Sequence, residues 1–199
     1  MVLAAYDPSI GQHIKTDVDG VTVDRAFIAH YTIAAGNATA AGAATIKTAV
    51  TLADGATTTV LAAALTAQPK VPRVLSITGN AATAVGNVVI TGKDFAGATI
   101  TETIVSTGAA TVNGTKAFAS ITSIVFPARG ADGDTISVGI TDDIGLPFLL
   151  SYNTVLAIYN NGTATTVASG SYSATVLCSN YINPTAALGG NQIDVYLLV

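Results

Sequence analysis

Two short loops concentrate carboxylates: GADGDT holds Asp132 and Asp134, and TDDIG holds Asp142 and Asp143. Hard cations such as Ca²⁺ want several oxygens in a tight loop, which two such turns can supply. EF-hand spacing is absent, however, and Asp-Gly also makes turns for purely conformational reasons. The four aspartates are therefore weak metal candidates, and neither a metal nor another cofactor is expected. The two histidines, His13 and His30, lie seventeen residues apart. With the single Cys178 they cannot make a structural zinc site, and solvated or interface histidines are the expected outcome.

Other chemistry is thinner still. No G-x-S-x-G nucleophile elbow, P-loop or strand-to-helix GxGxxG occurs. Adjacent Asp142 and Asp143 are not the separated carboxylate pair of a glycosidase. Cys178, in TVLCS, reads as a small buried hydrophobe rather than a nucleophile. Five of the seven tyrosines, Tyr152, Tyr159, Tyr172, Tyr181 and Tyr196, fall in the last fifty residues. Their expected role is in sheets and interfaces, with a glycan platform as the rival. The chain is expected not to be an enzyme.

Composition points the same way. Half of the 199 residues are hydrophobic and only 10% are charged, against roughly 25% in ordinary soluble domains. Thr, Ser, Asn and backbone must build the polar surface, and such material suits packing into an assembly. The net charge is −4, and the eight basic residues are scattered between Lys15 and Arg129. No basic stripe forms, so nucleic acid is not an expected partner. One cysteine precludes an intrachain disulfide and fits assembly in a reducing cytoplasm. The first twenty residues lack the basic and apolar regions of a secretory signal, and no uninterrupted apolar stretch of membrane-spanning length occurs.

The elements that must position these residues read as strands. Residues 1–30 show weak periodicity and form an expected N-terminal arm with Asp7, His13, Asp17, Asp19, Asp24, Arg25 and His30. All of these but Asp24 are the candidate partner contacts. Residues 31–199 read as one β-rich domain, with a sub-boundary near 145–152. AAGNATAAGAA is a small-residue loop, and ATIKTAVTL then alternates with Ile46, Thr48 and Val50 on one side. VPRVLSITG, GNVVITG and GATITETIV are strands, the last two joined as a hairpin across Lys93 to Gly97. Turns are expected at Asn113-Gly114, at Asp132 to Asp134, in DDIG and at Asn161-Gly162. Ile136, Val138 and Ile140 share a face, and NQIDVYLLV closes the chain as a strand. Short strands separated by turn signals at this spacing predict an all-β antiparallel sandwich or a barrel-like, jelly-roll-like domain.

Glu102 shares a strand face with Ile100 and Ile104, which points a carboxylate inward. A β-bulge can re-aim it, Arg73, Lys93 or Arg129 can neutralise it, or a second chain can meet it.

VPRVLSITGN, GNVVITGKDFAGATITETI and GTKAFASITSIVFPARGADGDTISVGITDDIGLP, followed by an NTVLA strand and NPTAALGG…DVYLLV, resemble a group of tailed-bacteriophage structural proteins. The resemblance covers roughly residues 70–199 and does not clearly cover the first forty. It implies a capsid-associated role, such as a decoration (cement) protein on the outside of the head, assembled in the host cytoplasm. The implied partners are the major capsid protein and further copies of the chain, with a trimer suggested by analogy. Another virion part (tail, baseplate or fibre) and a carbohydrate-binding or adhesive β module are the alternatives.

Overall fold

The computed structural model describes residues 14–15, 22–23 and 26–199. Asp7, His13, Asp17, Asp19, Asp24 and Arg25 fall outside them. The fold is all-β and antiparallel, as the alternation predicts. A two-residue ladder pairs β1 (Ile14–Lys15) with β2 (Thr22–Val23). The body follows with β3 (Ile28–Ile33), β4 (Gly42–Thr51), β5 (Thr58–Leu61), β6 (Arg73–Gly79), β7 (Val85–Lys93), β8 (Thr99–Thr107), β9 (Thr111–Phe118) and β10 (Ser120–Phe126). It continues with β11 (Thr135–Gly145), β12 (Val155–Asn160), β13 (Thr163–Thr165), β14 (Val167–Ser171), β15 (Tyr181–Pro184) and β16 (Ile193–Leu198). Among the described residues, helix is limited to single 3₁₀ turns at Ala62–Ala64 and Leu177–Ser179. No helix among the described residues is long and apolar enough to cross a membrane. β3 begins at Ile28, so the last residues of the expected arm, His30 among them, belong to a sheet.

Three sheets build the body. One runs β5-β10-β7-β8, a second β14-β15-β11-β6-β9 with β4 on β11, and the third β13-β12-β16-β3. The eleven-residue β11 is the spine. One of its edges carries β6; the other carries β4 along Thr135–Ile140 and β15 at Ile144–Gly145. Its side chains therefore serve two hydrophobic clusters. Ile136, Val138 and Ile140 pack with Ile77, Val88, Ile104, Phe118, Ile124 and Phe126. Ile144 packs with Ile33, Leu146, Leu150, Ile158, Val195 and Leu197. The change of cluster falls just before the stretch where a sub-boundary is expected. The two bodies also meet where Tyr31 of β3 touches Phe95 of the β7–β8 loop edge-on, with ring centroids 6.0 Å apart. Burial pushes the Tyr31 phenol up to about 12.

The β7–β8 hairpin forms as expected, in unbroken register from Val85↔Thr107 to Lys93↔Thr99. Asn161 and Gly162 both adopt positive φ, +50° and +76°, as a two-residue hairpin turn between right-twisted strands requires. Three expectations are corrected. Asn113-Gly114 is not a turn but lies inside β9, and the chain reverses earlier, after Gly108. Gly114 is there for close approach: a Cβ would sit 2.6 Å from Oε2 of Glu102. DDIG is not a turn either, since Asp142 to Gly145 belong to β11. The strand tolerates both carboxylates because Arg73 lies 3.5 Å from Asp142 and the Thr141 hydroxyl donates to Asp143 at 2.7 Å. Thr48, finally, faces solvent rather than sharing the side of Ile46 and Val50, because β4 carries an extra residue opposite Ile136–Val138.

Glu102 is 7% exposed and does point inward. No bulge re-aims it, and among the described residues no cation pairs with it. Its Oε1 accepts from the Thr115 amide at 2.5 Å and the Thr115 hydroxyl at 3.0 Å. Lys116 meanwhile donates to the Thr101 carbonyl at 2.7 Å. These side chains tie β8 to β9, which close the ends of two different sheets.

Candidate interaction surface

The sheet β13-β12-β16-β3 buries one face and exposes the other. Alternation in IAHYTI and IDVYLL sends Ile33, Ile193, Val195 and Leu197 into the core. The same alternation sends His30 and Thr32, with Asp194 and Tyr196, outward. The register sets Tyr196 opposite His30, Asp194 opposite Thr32, and Tyr159 of β12 opposite Asp194. His30 and Tyr196 stack, with centroids 4.3 Å apart and rings 7° from parallel. Tyr159 meets Tyr196 edge-on at 6.1 Å. Such pairs stiffen a sheet surface and leave polar tips for a partner.

Asp194 organises the polar half. Its Oδ1 lies 3.0 Å from His30 Nε2 and accepts from the Thr32 hydroxyl at 2.8 Å. Its Oδ2 accepts from Gln192 at 2.9 Å. The Thr32 hydroxyl, with help from Gln192 and His30, holds this carboxyl below the usual range despite partial burial. A Thr–His–Asp set invites comparison with a nucleophile relay. A relay needs carboxylate and hydroxyl on opposite imidazole nitrogens. Here both meet Nε2, the Thr32 oxygen at 2.9 Å, so the geometry orients a ring and does not relay a proton.

The other half is apolar. Ile28, opposite Leu198, is 66% exposed and Leu156 is 55% exposed, with Phe27 at the strand entrance. An irregularity in β12 between Val155 and Ala157 turns Leu156 outward. Phe27 and Val199 exchange backbone hydrogen bonds at 3.1 and 2.9 Å. These bonds fix the entrance of β3 beside the end of β16. A smaller apolar set, Leu149, Tyr152 and Val176, is exposed on the loops around Asn180. Asn180 is fully buried; its oxygen accepts from Leu150 and Ser173 amides and its nitrogen donates to the Ser173 and Val176 carbonyls.

The predicted site residues scatter. His30 is the described member of the expected partner contacts, and it lies on this face. Among the tyrosines, Tyr159 and Tyr196 come together here. Tyr152 is on a loop, and Tyr172 and Tyr181 belong to the β14–β15 region. Among the described residues no three His, Cys, Asp or Glu side chains gather to hold a metal ion. Asp132 pairs outward with Arg129, which also reaches Asp54 at 3.1 Å. Asp134 is buried and folds the turn onto itself, accepting from Thr83 at 2.7 Å and from the Gly130 and Ala131 amides at 3.0 and 2.8 Å. The Thr83 hydroxyl, followed by these amides, holds this carboxyl below the usual carboxylate range. Burial pushes the Cys178 thiol up, in keeping with a packing role. Asp194 and Thr32 were missed. The i, i+2 spacing of His30 with Thr32 and of Asp194 with Tyr196 was readable, but their register across 162 residues was not.

No protein-family model, no curated protein and no solved structure matches the chain.

Proposed function

We propose that the protein is a non-enzymatic phage virion component that decorates the capsid exterior and stabilises it by bridging neighbouring shell subunits. The carrying observation is the exposed face of β3, β16 and β12. Phe27, Ile28 and Leu156 lie open to solvent beside the His30–Tyr196 stack, in a chain with 10% charged residues. Contiguous exposed apolar surface of this kind is covered in assemblies. The resemblance of residues 70–199 to phage structural proteins supplies the setting. A subunit that binds only the assembled shell opposes its rupture by mass action. Tail, baseplate or fibre subunits would use the same surface at another location.

The test is sedimentation of the protein with expanded capsids lacking it, together with the temperature at which those capsids rupture. Fixed-stoichiometry binding and a raised rupture temperature are expected, both lost in the Ile28→Asp/Leu156→Asp variant. Failure of the intact protein to bind capsids overturns the head assignment. The carbohydrate-binding reading draws on the convergence of Tyr159, Tyr196, Asp194 and Gln192, and specific retention on a glycan array, abolished by Tyr196→Ala, would favour it.

A further inference from the structure

A cavity of about 240 Å³ lies against β4, β6 and β11, walled by Thr39, Thr45, Ile46, Lys70, Arg73 and Ile140. Nothing in the proposed assembly role uses it. Its chemistry is unusual for this chain, because two of only eight cations border it and, among the described residues, no carboxylate does.

Arg73 is 1% exposed. Its Nη1 donates to the Thr39 carbonyl at 2.8 Å and its Nη2 to the Thr141 carbonyl, while its Nε–H is closed to water and has no acceptor. Asp142, 3.5 Å away, is itself one-third exposed and also accepts from the Ala41 amide at 3.0 Å. The positive charge is left under-compensated: burial outweighs Asp142 and Asp143 and pulls the guanidinium down to about 10. Lys70 spends one donor on the Gly36 carbonyl at 3.0 Å, and an ammonium has three. Gln68 is held as part of the wall, its Nε2 donating to the Ile121 carbonyl at 2.9 Å and its oxygen accepting from the Ile121 amide at 2.8 Å, with one N–H left over. Ile46, Ala67, Pro69 and Ile140 supply apolar wall, and Asn37, Thr39 and Thr45 complete the lining.

We propose that this cavity binds a short-chain monocarboxylate. Its carboxylate takes the free donors of Lys70 within the field of Arg73, and its alkyl chain lies along Ile46 and Ile140. A small cavity with an apolar lining and a single exposed ammonium favours this class over phosphate, whose extra charge and oxygens ask for more donors.

The experiment is a ¹⁵N–¹H NMR titration of the full chain with sodium butanoate, with butan-1-ol and butylammonium as matched controls. Butanoate should give saturable shifts at the Thr39, Thr45 and Lys70 amides, and the controls should not. Lys70→Gln should weaken binding about tenfold or more. Ala67→Leu, at an exposed position on the rim, should block the cavity while leaving the spectrum of the remaining sheets unchanged. Absence of saturable shifts up to about 100 mM, a generous ceiling for so small a ligand, overturns the proposal. Equal response to butan-1-ol, or binding indifferent to both substitutions, overturns it as well. Arg73 is not the test variant, because removing a buried guanidinium that ties two carbonyls endangers the fold.

Discussion

The two hydrophobic clusters share β11 but are assembled from different ranges of the chain. The first gathers residues between Ile46 and Ile140, with the β7–β8 hairpin at its heart. The second joins the flanks: β3 pairs with β16, so that His30 meets Asp194 across 164 residues. Local hairpins cost little loop-closure entropy, whereas a pairing of chain ends is favourable only once the intervening body exists. The first region is therefore expected to hold its fold without the second. The second is a closure that depends on it, and it carries the exposed face proposed for assembly.

The strongest way to break this comparison is to destroy the scaffold. Ile104→Asp buries an unpaired carboxylate among Val88, Phe118 and Ile124, at a cost of several kcal/mol that rivals the whole stability of a domain. Loss of the folded near-UV signal throughout the chain is expected; Ile100→Asp, at the half-buried rim of the same strand, should be milder.

Deleting residues 193–199 removes the strand between β12 and β3. Amide exchange should become fast in β3, β12 and β13 while β7, β8 and β10 stay protected. Uniform loss of protection would show instead that the two regions are one cooperative unit.

Asn180→Ala acts inside the second region alone. It leaves the Leu150 and Ser173 amides and two carbonyls without their partner, and should destabilise by about 3 kcal/mol. Equilibrium denaturation measures it, and a change well under 1 kcal/mol would mean that water replaces the amide.

The mildest effect concerns acid. Asp134 in the first region and Asp194 in the second both have lowered folded-state pKa values. Each therefore adds stability above the unfolded carboxyl pKa of about 3.9, and that contribution is lost as pH falls through the folded value. Asp134→Asn and Asp194→Asn should each flatten the acid limb of the melting temperature against pH. The buried Asp134 should matter more, because solvent screens the hydrogen bonds around Asp194.

The legible part of the fold is the part whose signals are local. Alternation in GATITETIV and DTISVGI, the loop between Lys93 and Thr99, and the Asn161-Gly162 turn all follow from backbone geometry over a few residues. The misread turn at Asn113-Gly114 shows the limit of such signals. Gly114 is explained by the Glu102 carboxylate of a neighbouring strand, which no local pattern contains. DDIG misled for the same reason, since the partner of Asp142 is Arg73, far away in the chain.

The sequence by itself determined an all-β, sparsely charged chain with its strands largely in place, because period-two alternation and glycine-permitted turns are properties of short segments. Only the tertiary structure decided that β3 and β16 pair, that Tyr159, Tyr196, His30 and Asp194 share one outward face, and that Arg73 and Lys70 border one cavity. Register between distant strands is set by the packing of the whole core, and a slip of one residue would turn each of these side chains to the opposite face.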